Sequence, residues 1–194
     1  MFTPSVLLSS FSYMIELLPF HLLAYYSFRG QFRFPLRVVL SVNGFFLSVQ
    51  FFLYSYQYST GGDIRTLDIL VALISMITYL AFVKADIGKL LFIYTLVVDY
   101  TMIVRGIAIF LEIRFFMESG ETYYLLDTPF KTLLRMIPFV ITSPFMLIFL
   151  NITKERVLQT HAPQLWRTVW LIPAHTSFIV LLFTWDLNMI HVSG

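Results

Sequence analysis

Three ionisable residues interrupt long apolar runs: Glu16, Asp99 and Arg105. Each stands among Leu, Ile, Val, Phe and Tyr, with no opposite charge beside it in the chain. His21 follows Glu16 in the same run, and His175 stands in another. Such groups can hold a ligand, or they can pair with one another to fix packing. A charge in hydrocarbon costs a few kcal/mol or more, so each one asks for a partner. Asp99 and Arg105 do not answer each other. Six residues of α-helix rise about 9 Å and turn about 600°, so the two point in different directions. Arg105 needs a partner from elsewhere, and Glu16 is one candidate. The spacing therefore suggests a polar pocket between helices with Glu16 and Arg105 as charged walls. The rival reading is a buried polar network that only packs helices. Asn43 and Gln50 add amides seven residues apart on another run.

Catalytic signatures are missing. There is no Gly-rich phosphate loop, no His-Glu-x-x-His and no Gly-x-Ser-x-Gly. The histidines His21, His161, His175 and His191 have no metal-ligand spacing, and there is no Cys for a thiolate, a disulfide or a cluster. We expect no enzyme activity, no metal and no cofactor. One pattern recurs: Leu17-Leu18-Pro19-Phe20-His21 and Leu171-Ile172-Pro173-Ala174-His175. Each proline frees a carbonyl one turn back. Coincidence explains the repeat adequately.

The elements that carry these residues must be membrane helices. The chain has 194 residues, 58% hydrophobic, 18% aromatic and 12% charged. A soluble domain is about 25% charged, and a small one cannot hide this much apolar surface. A net charge of +2 is too small for a nucleic-acid footprint. A hydrocarbon core needs about 20 apolar residues in a helix. Six such stretches occur, near 5–27, 35–56, 67–83, 90–111, 132–150 and 166–185. None alternates as a barrel strand would. We expect an all-α, polytopic membrane protein, a single bundle of about six transmembrane helices over 1–194. Pro35 suits a first helical turn. The N-terminus lacks a basic start and a small-residue cleavage pattern, so the first helix should be retained.

Lys and Arg set the orientation. Arg29, Arg33 and Arg37, then Lys84 and Lys89, then Lys154, Arg156 and Arg167 fall on one side of a six-helix arrangement. Only Arg65, Arg114 and Lys131 fall on the other. The basic side should be cytoplasmic and both termini outside. Tyr54, Tyr56 and Tyr58 read as one interfacial level, with Trp166 and Trp185 at the ends of the sixth helix. The residues 112–131 form the longest hydrophilic connection.

Three stretches together resemble a known family. They are Met-Ile-Glu-Leu-Leu-Pro-Phe-His-Leu-Leu-Ala-Tyr-Tyr at 14–26, Val-Val-Asp-Tyr-Thr-Met-Ile-Val-Arg-Gly-Ile-Ala at 97–108 and Leu-Trp-Arg-Thr-Val-Trp-Leu-Ile-Pro-Ala at 165–174. They resemble the membrane-embedded sensor region of GHKL-type sensor histidine kinases of Firmicutes, especially Clostridia. The resemblance implies a sensor in the bacterial cytoplasmic membrane that takes an extracellular small molecule or peptide. It implies a homodimer where a kinase is attached, and places Glu16, Asp99 and Arg105 in the buried polar set. No ATP-binding or phosphoacceptor motif is present, so the chain reads as a sensor cut off before its last helix or as a shortened relative without its output. Six helices would leave the C-terminus outside, and one further crossing would bring a kinase to the cytoplasm. The alternative is the substrate-binding subunit of a vitamin-type transporter. Against it, the first helix carries Leu, Phe and Tyr where those subunits carry alanine repeats.

Overall fold

The computed structural model describes residues 3–62, 64–116, 129–156, 166, 168–176 and 179. Five helices follow in order: α1 Pro4–Tyr26, α2 Leu36–Thr60, α3 Ile64–Phe82, α4 Ile87–Phe116 and α5 Pro129–Arg156. Helical residues recur at 166, 168–169, 171–176 and 179, where the sixth helix was expected. The fold is an all-α membrane bundle. Of the described helices, α1, α2, α4 and α5 are long and apolar enough to cross a membrane. The apolar part of α3 is shorter, Thr66–Phe82.

Most of the helices outrun the apolar spans that announce them. The apolar count measures the hydrocarbon crossing, while backbone hydrogen bonding continues into the interface. So α4 begins at Ile87, ahead of Lys89, and runs on past Arg114. Local signals fix several ends. Pro4 occupies the first turn of α1, where its missing N–H costs nothing, and the Thr3 hydroxyl accepts from the Val6 amide at 3.4 Å. Pro35 is the residue before α2 rather than its first turn. Gly61 ends α2 at φ 65°, a left-handed conformation that glycine adopts without strain. Within α5 the missing N–H of Pro144 leaves the Val140 carbonyl open, and the Ser143 hydroxyl donates to it at 3.4 Å.

Contacts between helices define the topology. Tyr13 and His21 of α1 meet Asp68 and Ser75 of α3 in the same order, so these helices run parallel. Ser12 and Glu16 meet Thr132 and Arg135 of α5, also in order. Glu16 and Phe20 meet Arg105 and Tyr94 of α4 in reverse order. The chain thus goes up and down, with α1 packed against α2, α4 and α5, and α3 against α2 and α4.

The connections 27–35 and 83–86 lie on one side and bond to each other. Phe32 pairs with Val83 in an antiparallel bridge. The Arg33 amide donates to the Phe82 carbonyl at 2.8 Å and the Lys84 amide to Gln31 at 2.7 Å. Arg29, Arg33, Arg37, Lys84 and Lys89 therefore share one end of the bundle. Trp166 stands at this end too. Its ring packs on Phe92 at 5.8 Å, and its carbonyl lies against the place a Cβ on Gly88 would take. Only glycine allows that approach.

The bundle is divided along its axis. The half near the basic connections is an apolar plug. It joins Phe20, Leu23, Ala24 and Phe28 to Tyr79 and Val83, to Leu90, Ile93, Tyr94 and Val97, and to Met146 and Leu150. The other half carries the polar groups. Outward faces of α2 and α5 remain greasy, with Phe45, Phe52, Val140 and Phe145 exposed as lipid-facing residues should be.

The bridge supplies a direct test. Phe32 and Val83 form a pair flanked by hydrogen bonds, a geometry with Cα atoms about 4.5 Å apart, within disulfide range. Because the chain has no native Cys, Phe32→Cys with Val83→Cys should cross-link almost completely under mild oxidation, read by electrophoretic mobility. A folded double variant that stays reduced would place the two connections on opposite sides.

Candidate functional site

At the centre of the polar half lies one carboxylate between two guanidiniums. Glu16 of α1 is fully buried. Its Oε1 accepts a hydrogen bond from Arg135 Nη1 of α5 at 3.0 Å. Its Oε2 lies 3.1 Å from Arg105 Nε of α4. The two contacts differ in kind. The first is an aligned hydrogen bond. The second is a close charge contact whose N–H is off the line to the oxygen. The side chains differ in exposure as well, 10% for Arg135 and 29% for Arg105. Arg135 is the fixed partner, and Arg105 is the looser one.

The network continues from Arg105. Its Nη1 donates to the Tyr13 hydroxyl at 3.3 Å, and its guanidinium carbon stands 4.6 Å from the centroid of the Tyr13 ring. Tyr13 then donates to Asp68 Oδ1 of α3 at 2.6 Å, and Tyr54 of α2 donates to the same oxygen at 2.7 Å. These are short, charge-assisted bonds. The two tyrosine rings pack at 4.6 Å. Two cations and two anions are thereby joined, and α1 to α5 each contribute a member. Beside this, the Thr132 hydroxyl donates to Ser12 at 2.6 Å, and small residues Ser9, Ser10 and Ser12 are buried on α1, which lets its backbone approach its neighbours.

The structure brings Glu16 and Arg105 together. His21 stands below them, with Nδ1 against the Leu17 carbonyl at 3.1 Å and Nε2 against the Ser75 hydroxyl at 3.3 Å. Asp99 is buried on α4 and is engaged there. It is not among the ion-pair partners of Arg105 or Glu16. His175 is exposed, beside Leu171, Ile172, Ala174 and Thr176 around a shallow cavity of about 690 Å³. The repeated Pro-x-His pattern thus has two outcomes: His21 is buried and bonded to α3, while His175 faces outward. Asn43 bonds back to the Val39 carbonyl at 2.8 Å. Gln50 is fully buried, and among the described residues neither of its amide atoms is bonded. Among the described residues, no group of three His, Asp or Glu could hold a metal ion. The Glu112 side chain and residues 117–128 lie outside the described residues, as do 157–165 and Trp185.

Besides Tyr13, two members of the network escape sequence reasoning, Asp68 and Arg135. Both stand next to apparent span ends, where a charge would reach water. The helices begin earlier, at Ile64 and Pro129, which carries both residues inward. Tyr54 reads as part of an aromatic belt with Tyr56 and Tyr58. It is instead fully buried, because its hydroxyl is needed at Asp68, while Tyr56 is exposed. The signal that could have found Asp68 is its place on α3 four residues from the helix start, level with the tyrosines.

The geometry ranks three substitutions. Glu16→Ala should cost most, because it leaves two guanidiniums facing each other. Breaking a buried pair costs about 3–5 kcal/mol. Arg135→Ala should follow. Arg105→Ala should cost least, since Glu16 keeps Arg135. Thermal unfolding in detergent checks the order, and an Arg105→Ala loss as large as that of Glu16→Ala would contradict it. Tyr54→Phe removes a hydroxyl that donates to Asp68 and should cost about 1.5–3 kcal/mol, the range for hydrogen bonds to charged groups.

No protein-family model, curated protein or solved structure matches the chain.

Proposed function

We propose that the chain is the membrane-embedded sensor part of a bacterial two-component receptor, of the GHKL type that its sequence resembles. It would lie in the cytoplasmic membrane with the basic connections inside. The chain itself would catalyse nothing, and phosphotransfer would belong to a kinase beyond these residues.

One observation carries the reading: Glu16 is shared by two arginines from different helices. A carboxylate pairs best with one guanidinium, fork to fork, through two parallel hydrogen bonds. Shared between two, Glu16 makes one contact with each. Full pairing with Arg105 would draw α1 toward α4, and full pairing with Arg135 would draw it toward α5. Such a group favours two discrete packings over a continuum, which is what a sensor needs. A ligand shifts the balance only by binding one packing better than the other. The five-helix network would spread the shift, because Tyr13 and Asp68 follow Arg105, and Tyr54 follows Asp68.

The test joins residues 1–194, through one added apolar helix, to the catalytic part of a histidine kinase. Glu16→Gln should change autophosphorylation in membranes several-fold, and Arg135→Gln should change it in the direction opposite to Arg105→Gln. Equal output from all of these at equal membrane levels would overturn the sensor reading. Orientation is checked separately. A cysteine at Thr60 should react with an impermeant maleimide on intact cells, and one at Lys84 only after lysis. The reverse pattern would invert the bundle.

A further inference from the structure

Arg105 is half-used. A guanidinium offers five N–H groups in a planar fork. Nε faces Glu16 and one Nη1 hydrogen faces the Tyr13 hydroxyl. Among the described residues nothing accepts from Nη2. The side chain is 29% exposed, so this edge reaches the surface of the bundle. That surface is otherwise apolar, with Ile103 and Ile107 both exposed on α4. Next along the helix is Gly106, and nothing lies within 4 Å of where its Cβ would be. Among the described residues no side chain closes over the helix there. The Tyr13 ring beneath the guanidinium restricts its rotation, so the free edge is held in a set direction.

An open, oriented guanidinium edge on an apolar surface calls for an acceptor with two oxygens. We propose that Arg105 is the recognition group for an oxyanion, a carboxylate or a phosphate, bound bidentately at its free edge. The fork matches both groups geometrically, which an ammonium would not. The oxyanion is either a soluble ligand or the phosphate of a lipid headgroup. In both cases it competes with Glu16 for Arg105, at the weaker of the two Glu16 contacts. Glu16 then closes on Arg135, which already holds it by a hydrogen bond. This last step, from binding to repacking, rests on the sensor reading. The binding itself does not.

The test uses the full chain in a maltoside detergent, which carries no oxyanion. Inorganic phosphate, succinate and phosphatidylglycerol are titrated separately, followed by melting temperature and calorimetry. We expect at least one probe to raise the melting temperature saturably. Arg105→Gln should weaken that binding at least tenfold, and Arg105→Lys by a smaller factor. Arg29→Gln, at the opposite end of the bundle, should bind as the parent does. If Arg105→Gln folds poorly, adding Asp68→Asn restores charge balance and keeps the Glu16–Arg135 pair, and the same tenfold loss is expected. A response to phosphate or succinate identifies a soluble ligand. A response to phosphatidylglycerol alone identifies a headgroup. No response to any probe, or undiminished binding by the Arg105→Gln chains, overturns the proposal. Binding is read on the purified chain and signalling on the kinase fusion, so either idea can fail without the other.

Discussion

The bundle depends on a buried carboxylate that cannot be left alone. Glu16 is shut off from solvent on the central helix, and an isolated charge there would be prohibitive. Two arginines meet it, but two cations against one anion leave a surplus. Asp68 balances the surplus through Tyr13, and Asp68 in turn takes a second hydroxyl from Tyr54. Each requirement recruits another helix. The order of recruitment follows from electrostatics alone: α5 and α4 for the first anion, α3 for the second, and α2 to add a further hydrogen bond to it.

A network of this kind does what the hydrophobic effect cannot do in lipid. Apolar helices gain little by meeting one another when the surrounding tails are equally apolar. The plug near the basic connections must therefore rely on close fit: aromatic edges between Phe20, Tyr79 and Tyr94, the hydroxyl of Tyr94 on the Ala72 carbonyl at 2.8 Å, and the glycine at 88 beneath Trp166. The bridge between Phe32 and Val83 ties this end from outside the hydrocarbon. The polar half relies on charge. Close fit has a weaker preference for one register than paired charges do. The plug makes the bundle compact, and the network tells the helices which depth to adopt.

Much of this was legible in the chain. Long apolar runs give the helices, and the short basic connections give their alternating course. A lone Glu and a lone Arg in separate runs ask for each other. What was not legible concerns depth. Asp68 and Arg135 look terminal when spans are measured in apolar residues, because a charge near a span end needs no partner. Their helices begin roughly a turn earlier, and that displacement converts surface charges into network members. Tyr54 fails for a related reason. Tyrosine suits both an interface and a buried hydroxyl bond, and only the position of Asp68 decides between them. His175 shows the limit of local pattern: it shares its Pro-x-His setting with His21 but, among the described residues, lacks a neighbour like Ser75.

Among the described residues, buried amide atoms without a partner stand in the middle of α2. Its outward face is almost wholly lipid-facing, and few of its residues are buried: Val39, Gln50, Tyr54 and Ser55. The connection before it is held by the bridge at Phe32, and its far end by Tyr54 on Asp68. Between these anchors Gln50 is buried, its amide unbonded among the described residues, one turn from Tyr54 on the same face. An unpaired amide away from water costs on the order of 2 kcal/mol or more. Helix α2 is thus pinned near both ends and penalised between them. The penalty acts one turn from the bond that links α2 to the charge network. A helix in that condition gives up least when Asp68 moves. The same shift in charge pairing that repositions α1 would therefore meet its weakest resistance at α2.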